Sequence, residues 1–197
     1  DPLWSRGLGD VYKRQGFAST TSAIAGPNTF GIEAWFKTTA TNGGKIVGFG
    51  NSSTGTSGSY DRHVYMEPSG QVTFGVYPGS SQTISSASAF NDGQWHYVSA
   101  GLSDGGMVLY IDGVRVAQRT DVTSAQAYNG YWRVGGDSPW SGAAFFPGQI
   151  DDVAIYGAPL TREQVASHYT ASGRELEGST CLLYTSEPTR PERISYA

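Results

Sequence analysis

From Asn91 to Ala117 the apolar positions fall into three runs separated by two turn signals. In the first, Trp95 to Leu102, the residues His96, Val98, Ala100 and Leu102 alternate with Trp95, Tyr97, Ser99 and Gly101 at the two-residue period of a strand. Asp104-Gly105-Gly106 then turns the chain, and Met107, Leu109 and Ile111 line one face of the second run. Asp112-Gly113 supplies the positive backbone angles of a two-residue hairpin before Val114 to Ala117. The pattern predicts a three-stranded antiparallel meander.

The same period recurs upstream. Thr29 to Thr38 sets Phe30, Ile32, Ala34 and Phe36 on one face against Gly31, Glu33, Trp35 and Lys37 on the other, a sandwich strand with its first set facing the core. Lys45 to Gly50 is a second strand, whose glycines suit close packing or a bulge, and Asn51 to Ser59 is a polar rim loop. Asp61 to Pro78 reads as a hairpin turning at Pro68-Ser69-Gly70, and Thr83 and Ile84 as a short strand. Tyr131 to Gly135 and Gly148 to Tyr156 are the last strands; strict alternation puts Ile150 and Val153 on opposite faces, which requires either a bulge or two covered faces. One helix is predicted, Thr161 to Ser172, opened by a Thr161/Gln164 capping box and a Leu160/Val165 staple, with Val165, His168 and Tyr169 sharing a face. The elements add up to an all-β antiparallel two-sheet sandwich with one short C-terminal helix and no second domain.

Composition narrows this further at the two ends. DNA that encodes Ser5 to Gln15 has a reverse complement that encodes Cys181 to Thr185 and, with one base lost, Ser186 to Arg190. Two ends related as opposite strands of one oligonucleotide resemble the translated arms of a sequencing-library adapter. The expected division is therefore 1–15 as a non-native tail, 16–173 as the domain, and 174–197 as a linker remnant with a second such tail. Without the tails, 8 basic side chains face 13 acidic ones, a net charge of −5. No Lys/Arg stripe remains to neutralise phosphates, so nucleic acid is not an expected partner. The only cysteine, Cys181, lies in the tail, which leaves neither a disulfide framework nor a cysteine metal site. No run reaches the ~18 apolar residues of a membrane helix.

Several strings share one resemblance. Asp92-Gly93 with Trp95-His96, Leu109-Tyr110-Ile111-Asp112-Gly113, Glu33-Ala34-Trp35-Phe36-Lys37-Thr38, Trp132-Arg133-Val134-Gly135-Gly136-Asp137, Ile150-Asp151-Asp152-Val153-Ala154-Ile155-Tyr156 and Pro159-Leu160-Thr161 look like the laminin-G-like modules of large secreted bacterial proteins. Those modules are jelly rolls of the concanavalin A-like superfamily. The resemblance covers nearly all of Gly16 to Ser172. It implies an extracellular or cell-surface, non-catalytic recognition module within a larger chain. A glycan is the first expected ligand, a protein-interaction or spacer role the second, and a glycan-active enzyme the third.

The candidate chemistry is sparse. The Glu-x-Asp-x-Glu string of the superfamily's glucanases is missing, and Glu33 and Glu67 sit on separate strands. Either is expected to pair with Arg62 or Lys37 or to be solvated. His63 and His96 lie within strands, and His168 reads as a packed helix histidine. Calcium enters through the resemblance: it implies Asp61 before a strand whose hairpin glycine, Gly70, follows nine residues later, a carbonyl near Pro78, and Asp137, with Asp151 as an alternative. Arg62, directly after Asp61, could pair with it instead. For a ligand, Tyr60, Tyr77, Trp140 and Phe146 fall in or beside loops, where flat rings can stack on sugar faces, and Arg62 is the charged residue of that rim. Trp35, Trp95 and Trp132 read as structural.

Overall fold

The computed structural model describes residues 16–176. The predicted tail 1–15 and, of the predicted segment 174–197, residues 177–197 with Cys181 lie outside the described residues, so the fold does not bear on the adapter expectation.

Among the described residues, twelve strands and one helix succeed one another in chain order: β1 (Ala18–Ser19), β2 (Ile24–Ala25), β3 (Phe30–Lys37), β4 (Gly44–Gly50), β5 (Tyr60–Met66), β6 (Gln71–Val76), β7 (Gln82–Ala89), β8 (His96–Ser103), β9 (Gly106–Ile111), β10 (Val114–Arg119), β11 (Asn129–Val134), β12 (Gln149–Tyr156) and α1 (Arg162–Ala171). All pairings are antiparallel. One sheet runs β1-β11-β4-β5-β6-β7, with β2 also on β11; the other runs β10-β9-β8-β3-β12. This is the expected two-sheet sandwich, and among the described residues no helix is long and apolar enough to cross a membrane.

The alternation does what it predicted. Phe30, Ile32, Ala34 and Phe36 are buried to 1% exposure or less, beside Val98, Ala100, Leu102, Met107 and Leu109. They meet Val47, Phe49, Val64, Met66, Val72, Phe74 and Val76 from the facing sheet in one cluster. The strand expected at Thr83 and Ile84 extends over eight residues, because Ser85 and Ser86 hydrogen-bond toward β6 instead of interrupting the ladder.

Among the register shifts of the ladders, two carry a left-handed residue and redirect charged side chains. Between β4 and β5 the register passes from Val47↔Val64 to Phe49↔Asp61, so Arg62 and His63 stand opposite one residue, Gly48, and Arg62 takes a left-handed φ of 48°. Between β12 and β3 it passes from Asp151↔Trp35 to Ala154↔Glu33, with Asp152 at φ 45°. That second bulge decides the Ile150/Val153 question: the extra residue brings both side chains onto the core cluster.

The helix covers the outer face of the five-stranded sheet. Its capping box forms as predicted, with Gln164 N–H donating to Thr161 and Thr161 N–H to the Gln164 side chain. Val165 and Tyr169 pack with Tyr97, Tyr110 and Leu160. Glu33 departs from its expected pairing with Arg62 or Lys37. The Tyr97 hydroxyl (2.6 Å) and His168 Nδ1 (2.8 Å) meet one of its oxygens and the Tyr156 hydroxyl (2.5 Å) the other, because the strand aims Glu33 at the face the helix covers. Burial, then this carboxylate, push the Tyr97 and Tyr156 phenols far above their ordinary range. Glu33→Ala is expected to destabilise the domain by about 2–3 kcal/mol, from hydrogen bonds to a charged group and the donors left unmatched, readable as a lower urea midpoint.

Candidate functional site

The predicted rim divides into three parts. Asp61 and Arg62 are fully buried. Asp61 Oδ2 accepts from Tyr77 N–H (3.0 Å) and Gln126 N–H (2.9 Å), while Oδ1 meets Arg62 Nη1 (2.6 Å) and the Tyr128 hydroxyl (3.0 Å). The remaining guanidinium nitrogens donate to backbone carbonyls, Nε to Pro27 O and Nη2 to Gln126 O, both at 2.8 Å. Arg62 therefore faces inward and is not the ligand-contacting residue expected of it. Phe146 is corrected in the same way: 8% exposed, it stands edge-on to Phe36 in the core, leaving no ring face for a ligand.

Tyr60, Tyr77 and Trp140 do come together, half-buried on the outer face of the seven-stranded sheet. Trp140 lies back over His63 (ring centroids 4.4 Å) and onto Gly75, where a Cβ would come within 2.5 Å of the indole. Tyr60 approaches His63 at 6.1 Å and Tyr77 approaches Trp140 at 6.3 Å. Beneath them Asp137 is 1% exposed; its Oδ1 accepts from Ser57 N–H and Ser138 N–H, both 2.8 Å. Its Oδ2 faces Lys45 Nζ at 4.0 Å and Arg133 Nη1 at 3.7 Å. Burial lowers the Lys45 ammonium to about 7 despite the Asp137 charge, and holds His63 well below its ordinary range, with the Lys45 charge adding to the effect.

The calcium set does not assemble from these residues. Asp61 has both oxygens committed to protein donors, Asp137 looks at two cations, and Asp151 is on the opposite sheet. Among the described residues no three His, Cys, Asp or Glu side chains converge in a metal-binding group. Waters can complete the six to eight oxygens of a calcium ion, but the aspartate that would anchor the set already accepts four protein hydrogen bonds.

Asp151 instead lies where the sequence reading placed only structure. A cleft of about 230 Å³ opens on the outer face of the five-stranded sheet, lined by Trp35, Trp95, Asp151, Asp152, Ser172 and Arg174. Cross-strand register builds it: Tyr97, Trp35 and Asp151 stand side by side on β8, β3 and β12, all on the face turned from the core. Trp35 is fixed by stacking on Tyr169 (5.9 Å, 16° between planes), with Arg174 Cζ 5.3 Å from its ring. Trp95 is half-exposed, one residue before β8, and Asp151 and Asp152 are exposed. Strand alternation gave no hint of this site, because Asp151 meets Trp35 only through the β12/β3 register and Asp152 joins it only through the bulge that follows. The signal available was the Asp151-Asp152 pair itself, two charges inside a strand pattern. Arg174, which the sequence assigns to the linker remnant, completes the wall.

A family model of laminin G type, described as the concanavalin A-like lectin/glucanases superfamily, matches residues 13–166. The chain belongs to that superfamily. A search of curated proteins returns no match. Among solved structures this laminin-G-like domain is similar to the native heptameric SAP-like pentraxin of Limulus polyphemus, at TM-score 0.58 and 20% identity over 80% of this chain and 76% of that one. It is also similar to the CBM40 of the Ruminococcus gnavus IT-sialidase bound to α2,3-sialyllactose, at TM-score 0.57 and 21% identity over 71% and 81%. Domains LG4-5 of the mouse laminin α1 chain give TM-score 0.51 and 17% identity over 83% of this chain and 48% of that one. At these identities the likeness establishes the fold of the laminin-G-like domain.

Proposed function

We propose that this laminin-G-like domain is a non-catalytic extracellular recognition module that binds a glycan in the cleft between Trp95 and the end of α1. The observation that carries the reading is the cleft's composition: two indoles beside two carboxylates and a guanidinium. A pyranose presents C–H faces that stack on an indole, hydroxyls that donate to carboxylates, and oxygens that accept from a guanidinium. At about 230 Å³ the space is smaller than the ~300–1,000 Å³ that hold drug-sized ligands, which suits one sugar unit of a longer chain lying across an open surface. The sialyllactose bound by the structurally similar CBM40 supports glycan as the ligand class.

Recognition is favoured over hydrolysis because the cleft's two carboxylates are adjacent, exposed residues of one strand, not a pair from separate elements flanking a glycosidic bond. The aromatic group Tyr60, Tyr77 and Trp140 supports a second reading, a ligand on the opposite sheet, and a protein ligand is the alternative class. One experiment separates them: titration against a glycan and polysaccharide panel for the parent, Trp95→Ala, Asp151→Asn and Trp140→Ala. Trp95→Ala is expected to weaken binding about tenfold or more, in the range of a tryptophan anchor, while Trp140→Ala leaves it intact. The reverse result would move the ligand to the Tyr60 face. A parent silent across the panel would sink the glycan reading in favour of a protein partner.

A further inference from the structure

The contacts around Asp61 and Arg62 make a small oxygen cage, and the cation inside it belongs to the chain. Pro27 O from the loop before β3, Asp61 Oδ1 from β5 and Gln126 O from the loop before β11 each take one guanidinium nitrogen at 2.6–2.8 Å. We infer that the Arg62 guanidinium occupies the place of a hard metal ion at this rim, so that the module ties its rim loops together with a covalently attached, permanently charged group and needs no calcium there. The inference does not depend on the glycan reading.

Three independent features fit a guanidinium and not a metal. Phe49 and Tyr128 wall the group, each ring centroid 5.5 Å from Cζ, and aromatic faces attract a guanidinium but offer no oxygen to a metal. Gly26 lies so close that a Cβ there would sit 2.9 Å from Cζ and Nη2, so the backbone is cleared for the planar group itself. Arg62 is also the extra residue of the β4/β5 bulge. Consecutive residues of a regular strand point to opposite faces, and only the left-handed turn at φ 48° lets Arg62 and Asp61 meet. A non-glycine residue persists there only when its surroundings hold it, and the three hydrogen bonds do so. The cation is part of the side chain, so no chelator can remove it.

The test is thermal unfolding of the full chain, Asp61→Asn, Arg62→Ala and the double variant Asp61→Asn/Arg62→Ala. Each is measured in chelator, in calcium, in magnesium and in methylguanidinium, with calcium at about 10 mM, tenfold above the ~1 mM of weak extracellular sites. The parent is expected to melt identically in calcium and chelator. Arg62→Ala is expected to melt lower and to recover about tenfold in its folding equilibrium with methylguanidinium. Calcium should rescue it to a lesser degree, and neither cation should rescue the double variant. Stabilisation of the parent by calcium that disappears in Asp61→Asn would overturn the inference, as would an Arg62→Ala protein as stable as the parent and indifferent to both cations. Should Arg62→Ala stay unfolded in every condition, the first criterion, calcium stabilisation of the parent that disappears in Asp61→Asn, decides alone.

Discussion

Asp61→Ala is expected to lower the stability of the domain by about 3–5 kcal/mol, the penalty for removing one partner of a buried ion pair. The carboxylate is fully buried and is the shared acceptor for Tyr77 N–H, Gln126 N–H, the Tyr128 hydroxyl and Arg62. Its loss strands two backbone donors and leaves a guanidinium facing two neutral carbonyls. At roughly 2–4 °C per kcal/mol for a domain of this size, the melting midpoint should fall by roughly 6–20 °C in calorimetry. Adding Arg62→Met should return part of the loss, because an apolar replacement removes the orphaned charge. A positive coupling in that double-mutant cycle is the check on the mechanism. A single mutant within about 1 kcal/mol of the parent would mean that water reaches the cage, against the complete burial of both side chains.

Lys45→Met is expected to do the opposite and raise stability by about 1–4 kcal/mol at neutral pH, because burial costs the ammonium more than the Asp137 charge returns. Lys45 is fully buried, its Nζ has no hydrogen-bond partner among the described residues, and Asp137 keeps Arg133 and two backbone N–H donors without it. The pH dependence gives a sharper readout. Burial takes the Lys45 pKa from 10.5 to about 7, so between those values the unfolded chain holds a proton that the folded one has released. Stability therefore rises with pH from about 7 toward 10. His63, neutral when folded because burial lowers its pKa, adds a rise of the same sign below that window. Above about 10 the trend reverses, since burial raises the phenols of Tyr65, Tyr97, Tyr128 and Tyr156 while unfolded tyrosines ionise. Urea midpoints at pH 7 and 9.5 should differ for the parent and coincide for Lys45→Met. A parent with a flat profile would contradict the buried ammonium.

The strands, their inner faces and the capped helix were legible in the sequence because each rests on local periodicity. Phe30, Ile32, Ala34 and Phe36 announce a core face whatever the rest of the chain does. What periodicity cannot register is a residue that breaks it. The left-handed bulge at Arg62 falls inside a run that read as regular strand, while the one at Asp152 falls where Ile150 and Val153 allowed a bulge without deciding for it; each redirects a charged side chain. Arg62 therefore read as a surface residue of the rim when it is a buried counter-ion. Trp35 and Trp95 read as structural for the same reason: their carboxylate neighbours come from β12, more than fifty residues downstream, and only sheet register brings them alongside. Glu33 likewise could not be matched with His168 before the helix had a place to dock.

The bulge at Asp152 has a consequence beyond the cleft. β12 borders its sheet, hydrogen-bonded to β3 on one side only. A flat border strand is a template on which a second chain can add its own strand, the first step of fibril growth. Here the border is kinked in its middle and carries two adjacent negative charges at the kink. The distortion that sets Asp152 beside Asp151 also denies a straight ladder to any incoming strand, and so opposes edge-to-edge addition of neighbouring copies.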